Sequence, residues 1–120
     1  MTDKHSLLIV EDDYKIIQEL SNLLHCCYRI AVSETGMGAL RLLEEKHYDL
    51  ILLDIDLPDI NRFDVLRSLR NQRISSKVFI LSNRSASQDK IRCLDMGAND
   101  YITKPFDSGE LLSRIKAHLR

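Results

Sequence analysis

Short apolar runs alternate along the chain with longer segments in which apolar residues recur at helical spacing, the pattern of strands and helices taking turns. Strands are predicted at Ser6 to Val10, Tyr28 to Val32, Asp49 to Leu53, Lys77 to Leu81 and Asp100 to Thr103. Their apolar centres suit strands covered on both faces, as in a parallel sheet. Ile16, Ile17, Leu20, Leu23 and Leu24 form one helical stripe, Leu40 and Leu43 another, and Leu111, Ile115 and Leu119 a third. Ser85 with Gln88, and Asp107 with Glu110, have the spacing of capping boxes, and Gly97 reads as a helix stop. A (βα)5 order of this length predicts a doubly wound α/β fold, in which ligands bind beyond the carboxyl ends of the strands.

Composition narrows the class. The 120 residues are 44% hydrophobic, enough for one domain over residues 1–120 with its own core, and no linker or repeat divides them. Charge is balanced, with 17 basic and 18 acidic residues, so the chain carries no electrostatic footprint for nucleic acid or an anionic membrane. The longest apolar runs, Leu7 to Val10 and Leu50 to Leu53, are too short for a membrane span, and a cytoplasmic protein is expected. Cys26, Cys27 and Cys93 lack C-x-x-C spacing, and His5, His25, His47 and His118 lie far apart. The cysteines are expected to be reduced, small core residues, and no zinc site is predicted.

The residues just past the predicted strands carry the chemistry. They are Glu11, Asp12 and Asp13 after the first, Asp54 and Asp56 around the end of the third, Ser82 after the fourth and Lys104 after the fifth. Carboxylates crowded at one place repel one another unless a cation neutralises them, and a hard divalent ion such as Mg²⁺ suits oxygen ligands. An ionised Asp can attack phosphorus, provided the oxygens of the transferring group are held by a metal and a positive side chain. Lys104 offers that charge and Ser82 a hydroxyl. Any one of these residues alone would be read as a surface or capping group; together at four strand ends they form one coherent site.

The segments LLIVEDD, LILLDIDLP, ILS and GANDYITKPF, in this order, closely resemble the receiver domains of two-component response regulators. GANDYITKPF followed by ELLSRIKAHLR is most similar to the subfamily with a winged-helix DNA-binding domain after its receiver. The resemblance implies a flavodoxin-like five-stranded parallel sheet of order 2-1-3-4-5. It implies Asp54 as phosphoacceptor, Asp12 as a direct Mg²⁺ ligand, Glu11 as a ligand through water, and the backbone carbonyl of Asp56 as a third. Ser82 and Tyr101 become a switch pair that reshapes the face made by the fourth helix, fifth strand and fifth helix; the plain alternative for Tyr101 is a half-buried aromatic with a wet hydroxyl. Lys104-Pro105 is expected to be cis. A sensor histidine kinase is the implied phosphodonor, and the domain is expected to be a signalling module and not an enzyme. DNA would be reached only through a separate output domain beyond residue 120.

On that same face Lys90, Asp100, Glu110 and Arg114 match positions that form ion pairs across a two-fold homodimer in the subfamily, or else are solvated surface charges. Two departures stand out: Asn99 where relatives carry an acidic residue, and Arg62 where they carry Gly. Asp56 and Arg84, each two residues past a site residue, are expected to face each other across the mouth and obstruct attacking water. Two rivals remain in view. One is an aspartate-nucleophile phosphatase built on the D-x-D of Asp54 and Asp56, although that motif usually opens the domain. The other is a receiver-like interaction module that works without phosphorylation.

Overall fold

A computed structural model describes residues 4–61 and 63–120. The elements follow in strict alternation: β1 (Ser6–Val10), α1 (Tyr14–Leu24), β2 (Arg29–Ser33), α2 (Gly36–Glu45), β3 (Leu50–Asp54), α3 (Asp64–Asn71), β4 (Lys77–Ser82), α4 (Ser87–Asp95), β5 (Asp100–Thr103) and α5 (Ser108–His118). All four strand pairings are parallel, and the order across the sheet is β2-β1-β3-β4-β5. The order reverses between β1 and β3, so the switch point of the doubly wound sheet lies at their carboxyl ends.

Side-chain alternation sorts the central strands onto two cores. Leu8 and Val10, Ile51 and Leu53, and Val78 and Ile80 face one, where Ala39, Leu66, Leu69 and Cys93 of α2, α3 and α4 meet them. Leu7 and Ile9, Leu50 and Leu52, and Phe79 and Leu81 face the other, closed by Leu20 and Leu24 of α1 and Leu111 and Ile115 of α5. β1, β3 and most of β4 are buried along their length, hence their nearly unbroken apolar runs. β2 differs from the expectation of two covered faces: as an edge strand it leaves Arg29 and Val32 exposed. β2 and β3 also start and end one residue later than the sequence pattern suggests, which brings Ser33 and Asp54 into the sheet.

The helix ends correct two readings. Asp107 caps α5 through the Glu110 N–H at 2.8 Å, as its spacing predicts. Ser85 does not cap α4; Ala86 is the N-cap, with no side-chain bond, because the chain enters the helix one residue later than the Ser85–Gln88 spacing requires. Gly97 has φ +105, the left-handed conformation its C-terminal position demands. Arg73 takes φ +58 just after α3, a conformation that favours glycine. Of the three cysteines only Cys93 is a core residue. Cys26 and Cys27 are exposed in the turn after α1, because the helix ends at Leu24 and the two residues behind it face outward.

Arg70 ties three segments together on the α3 side. Its guanidinium donates to the carbonyls of Ile74, Ser76 and Gly97 and, at 3.2 Å, to Asn99 Oδ1. Asn99 Oδ1 also accepts the Val78 N–H at 2.8 Å and so fixes the start of β4. Every one of these acceptors is neutral, and burial pulls the Arg70 pKa down.

Candidate phosphoacceptor site

Each site residue reaches the switch point by its place on a strand or just beyond one. Asp54 is the last residue of β3 and is 4% exposed. Glu11 follows β1 and is fully buried. Asp13, the third acid of that run, is diverted: its carboxylate accepts the Lys15 N–H at 2.9 Å as the N-cap of α1. Asp12 is thereby left exposed at the mouth, and carboxylate oxygens of Glu11, Asp12 and Asp54 converge within 4.8 Å of one another.

Lys104 enters from the far side of the sheet. The loop after β5 passes through the cis Lys104-Pro105 bond, and the Lys104 backbone N–H donates to the Ser82 carbonyl at 2.8 Å. Its ammonium lies 2.8 Å from Glu11 Oε2 and 3.5 Å from Asp54 Oδ2. Burial drives Glu11 up to about 7, against the pull of the Lys104 hydrogen bond, while nearby Asp54 adds to the rise. Burial works against the Lys104 charge as well, but the bond to Glu11 and the field of Asp54 outweigh it and its pKa ends above the ordinary lysine value. The crowding of carboxylates expected from the sequence is therefore present in the geometry, with Lys104 paired into it.

Asp56 points its carboxylate away from that cluster. Its backbone N–H donates to Asp54 Oδ1 at 2.9 Å, which turns the chain sharply past the end of β3. Asp56 Oδ2 accepts the Ser82 hydroxyl at 3.0 Å, and Oδ1 accepts Arg84 Nε at 3.1 Å. The Arg84 N–H in turn donates to Ser82 Oγ at 3.0 Å. Tyr101 is 9% exposed with its ring in the core, and its hydroxyl donates to the Arg84 carbonyl at 2.6 Å. Asp56, Ser82, Arg84 and Tyr101 thus form a continuous chain of contacts from the mouth of the site to β5. The predicted facing of Asp56 and Arg84 is present, and the Tyr101 hydroxyl is bonded to backbone.

The remaining expected residues surround Tyr101. The Lys90 ammonium lies 5.9 Å from the centre of its ring. Arg114 pairs within the chain, with Asp100 at 2.9 Å and Glu110 at 2.7 Å. Lys90, Glu110 and Arg114, together with Tyr101, help line a groove of about 330 Å³ between α4, β5 and α5. The departure at Arg62 lies outside the described residues; the one at Asn99 is the Arg70 contact described above.

One loop anchor went unnoticed in the sequence. Asp59, on the loop between β3 and α3, accepts the N–H groups of Gly36 at 3.0 Å and Met37 at 3.1 Å. Bonding to Gly36 holds its carboxyl below the ordinary Asp range. Ile60 packs so closely on α2 that a Cβ on Gly36 would overlap Ile60 Cδ1. The loop that follows Asp54 is therefore anchored to the start of α2. The only sequence signal was the turn-forming Pro58-Asp59 pair.

The fold has close counterparts. Residues 7–116 match the response regulator receiver domain family, and the chain belongs to it. The transcriptional regulatory protein KdpE of Mycobacterium tuberculosis is 41% identical over 115 residues, covering 95% of this chain and 50% of KdpE. The receiver domain of the Francisella response regulator 1452 superposes with a TM-score of 0.90 at 33% identity, covering 96% of each chain. The BeF3-activated N-terminal receiver domain of Klebsiella pneumoniae RstA gives 0.88 at 31% identity, covering 96% of this chain and 98% of that one. The chain spans about half the length of the curated relatives it matches, which include transcriptional regulators. Among the described residues, no helix is long and apolar enough to cross a membrane.

Proposed function

We propose that Asp54 accepts a phosphoryl group from the phosphohistidine of a sensor kinase. The observation that carries this reading is the placement of Lys104, within 3.5 Å of the buried Asp54 carboxylate and bonded to Glu11. Asp54 attacks phosphorus, the P–O bond forms as the P–N bond to the donor imidazole breaks, and the imidazole leaves. Lys104 stands where it can hold an equatorial oxygen of the transferring group, and the Ser82 hydroxyl could donate to another once it leaves Asp56.

The donor set fits a hard cation. Carboxylate oxygens of Glu11, Asp12 and Asp54 converge within 4.8 Å of one another, hard donors with the Lys104 ammonium beside them. Asp12, Asp54 and the Asp56 carbonyl would hold Mg²⁺ directly and Glu11 through water. When bound, Mg²⁺ supplies charge neutralisation on the phosphoryl oxygens.

The chain of contacts from Asp56 through Ser82 and Arg84 to Tyr101 would carry the phosphorylation signal to the α4-β5-α5 face. There a homodimer would form and a DNA-binding output domain would respond, as the names of the transcriptional relatives suggest. Against an aspartate-nucleophile phosphatase stands Asp56, whose carboxylate is engaged by Ser82 and Arg84 where a general acid would be needed.

Intact mass after incubation with Mg²⁺ and acetyl phosphate tests the reading. One added phosphoryl group in the native protein, absent without metal and in Asp54→Asn, is expected. No addition would favour a phosphorylation-independent module, and addition persisting in Asp54→Asn would mean another acceptor.

A further inference from the structure

The exposed thiols of Cys26 and Cys27 take no part in the phosphoacceptor site. They lie in the turn between α1 and β2, at the amino-terminal edge of the sheet. Neighbouring residues rarely present both side chains on one side, yet here Sγ of Cys26 and Sγ of Cys27 are 3.5 Å apart. The turn that holds them is bonded at both ends: His25 N–H to the Ser21 carbonyl, and the Cys27 and Tyr28 N–H groups to the Leu24 carbonyl.

We propose that Cys26 and Cys27 form a dithiol site for trivalent arsenic, taken up as an arsenous or organoarsenous acid. The choice of ion follows from geometry. Two metal–sulfur bonds of about 2.3 Å laid end to end, as a linear two-coordinate ion requires, hold the sulfurs about 4.6 Å apart. The same bonds meeting near a right angle, as at a pyramidal arsenic(III) centre, bring them to about 3.3 Å, close to the observed separation. Zinc is excluded by ligand number, since it asks for four donors, and among the described residues no third His, Cys, Asp or Glu atom converges here.

The chemistry balances without an oxidant. The hydrogen bond with Cys26 pushes the Cys27 thiol up. With phenylarsine oxide, two S–H bonds break, two As–S bonds form, and the arsenic oxygen leaves as water with both protons; no atom changes oxidation state. Chelation through two thiols on one turn distinguishes the site from an isolated exposed cysteine, because a monothiol competitor must break both bonds.

The test uses one equivalent of phenylarsine oxide followed by excess glutathione, read by intact mass. The native protein is expected to keep one phenylarsenic group through the glutathione wash and to lose it to a dithiol such as 2,3-dimercaptopropanol. Cys26→Ser and Cys27→Ser, both exposed and outside the cores, are each expected to lose the adduct to glutathione. Loss of the native adduct to glutathione, or its retention in either single variant, would overturn the proposal.

Discussion

Ser82 gives its hydroxyl proton to Asp56, 3.0 Å away, although Asp54 is the acceptor that the proposed chemistry will need it to serve. A hydroxyl has one proton, so the Asp56 bond competes with any bond to a phosphoryl oxygen on Asp54. Asp56→Ala removes the competitor. The variant is expected to bind beryllofluoride roughly five-fold more tightly, the worth of about 1 kcal/mol for one such bond. Fluoride titration followed by NMR of Ser82 and its neighbours checks this, and unchanged affinity would show that the bond does not oppose activation.

Arg84 pairs with the other oxygen of Asp56, at 3.1 Å. Arg84→Ala opens a route for water along the groove of about 500 Å³ that Asp56 and Arg84 help line. Several-fold faster loss of the phosphoryl group is expected, measured as decay of the phosphorylated mass after the donor is removed. An unchanged half-life would remove Arg84 from the proposed shielding of the phosphoryl group.

Arg70→Ala leaves the carbonyls of Ile74, Ser76 and Gly97 without the guanidinium that joins them. A loss of about 3 kcal/mol in urea unfolding is expected from so many severed bonds, with phosphorylation of the folded fraction intact. A loss below about 1 kcal/mol would mean that water replaces the side chain.

Arg73 sits at φ +58, where a Cβ is strained and glycine is not. Arg73→Gly is expected to raise stability by ~1 kcal/mol, since the relieved strain exceeds the added freedom of the unfolded chain. Thermal unfolding of the two proteins side by side decides the sign.

Asp49 sets an acid limit. Burial pushes its carboxyl up, but the Ser6 N–H and the His5 and His47 rings outweigh this and its pKa is lowered. Because the folded value lies below the unfolded one, Asp49 contributes stability above about pH 4, the unfolded carboxylate range, and loses it as pH falls through the folded value. Urea midpoints of wild type and Asp49→Asn are expected to differ at neutral pH and to converge as the solution is acidified. A constant difference would mean that Asp49 acts by shape alone.

The sheet was legible because buried parallel strands leave nearly unbroken apolar runs, and its polarity told where Glu11, Asp12, Asp54, Ser82 and Lys104 must gather. What escaped was anything set by a partner distant in sequence. Asp59 looks like an ordinary turn residue until α2 arrives with two unsatisfied N–H groups, and Arg70 like a surface arginine until Gly97 and Asn99 fold beneath it. The Ser85 reading failed because capping spacing recurs by chance, and the geometry of chain entry decides between neighbouring starts. Adjacent cysteines look like core filling until the helix ends one turn too early to bury them.

Arg114 already holds Asp100 and Glu110 within its own chain. Two copies meeting across this face through those charges would trade one set of partners for an equivalent set, so ion pairing would select the alignment while adding little to the strength of the union. The grip would have to come from Ile91 and Leu94, the apolar side chains that α4 leaves exposed to water. A face arranged this way would be tuned for reversibility: the charges would say which way round, and the exposed apolar side chains for how long.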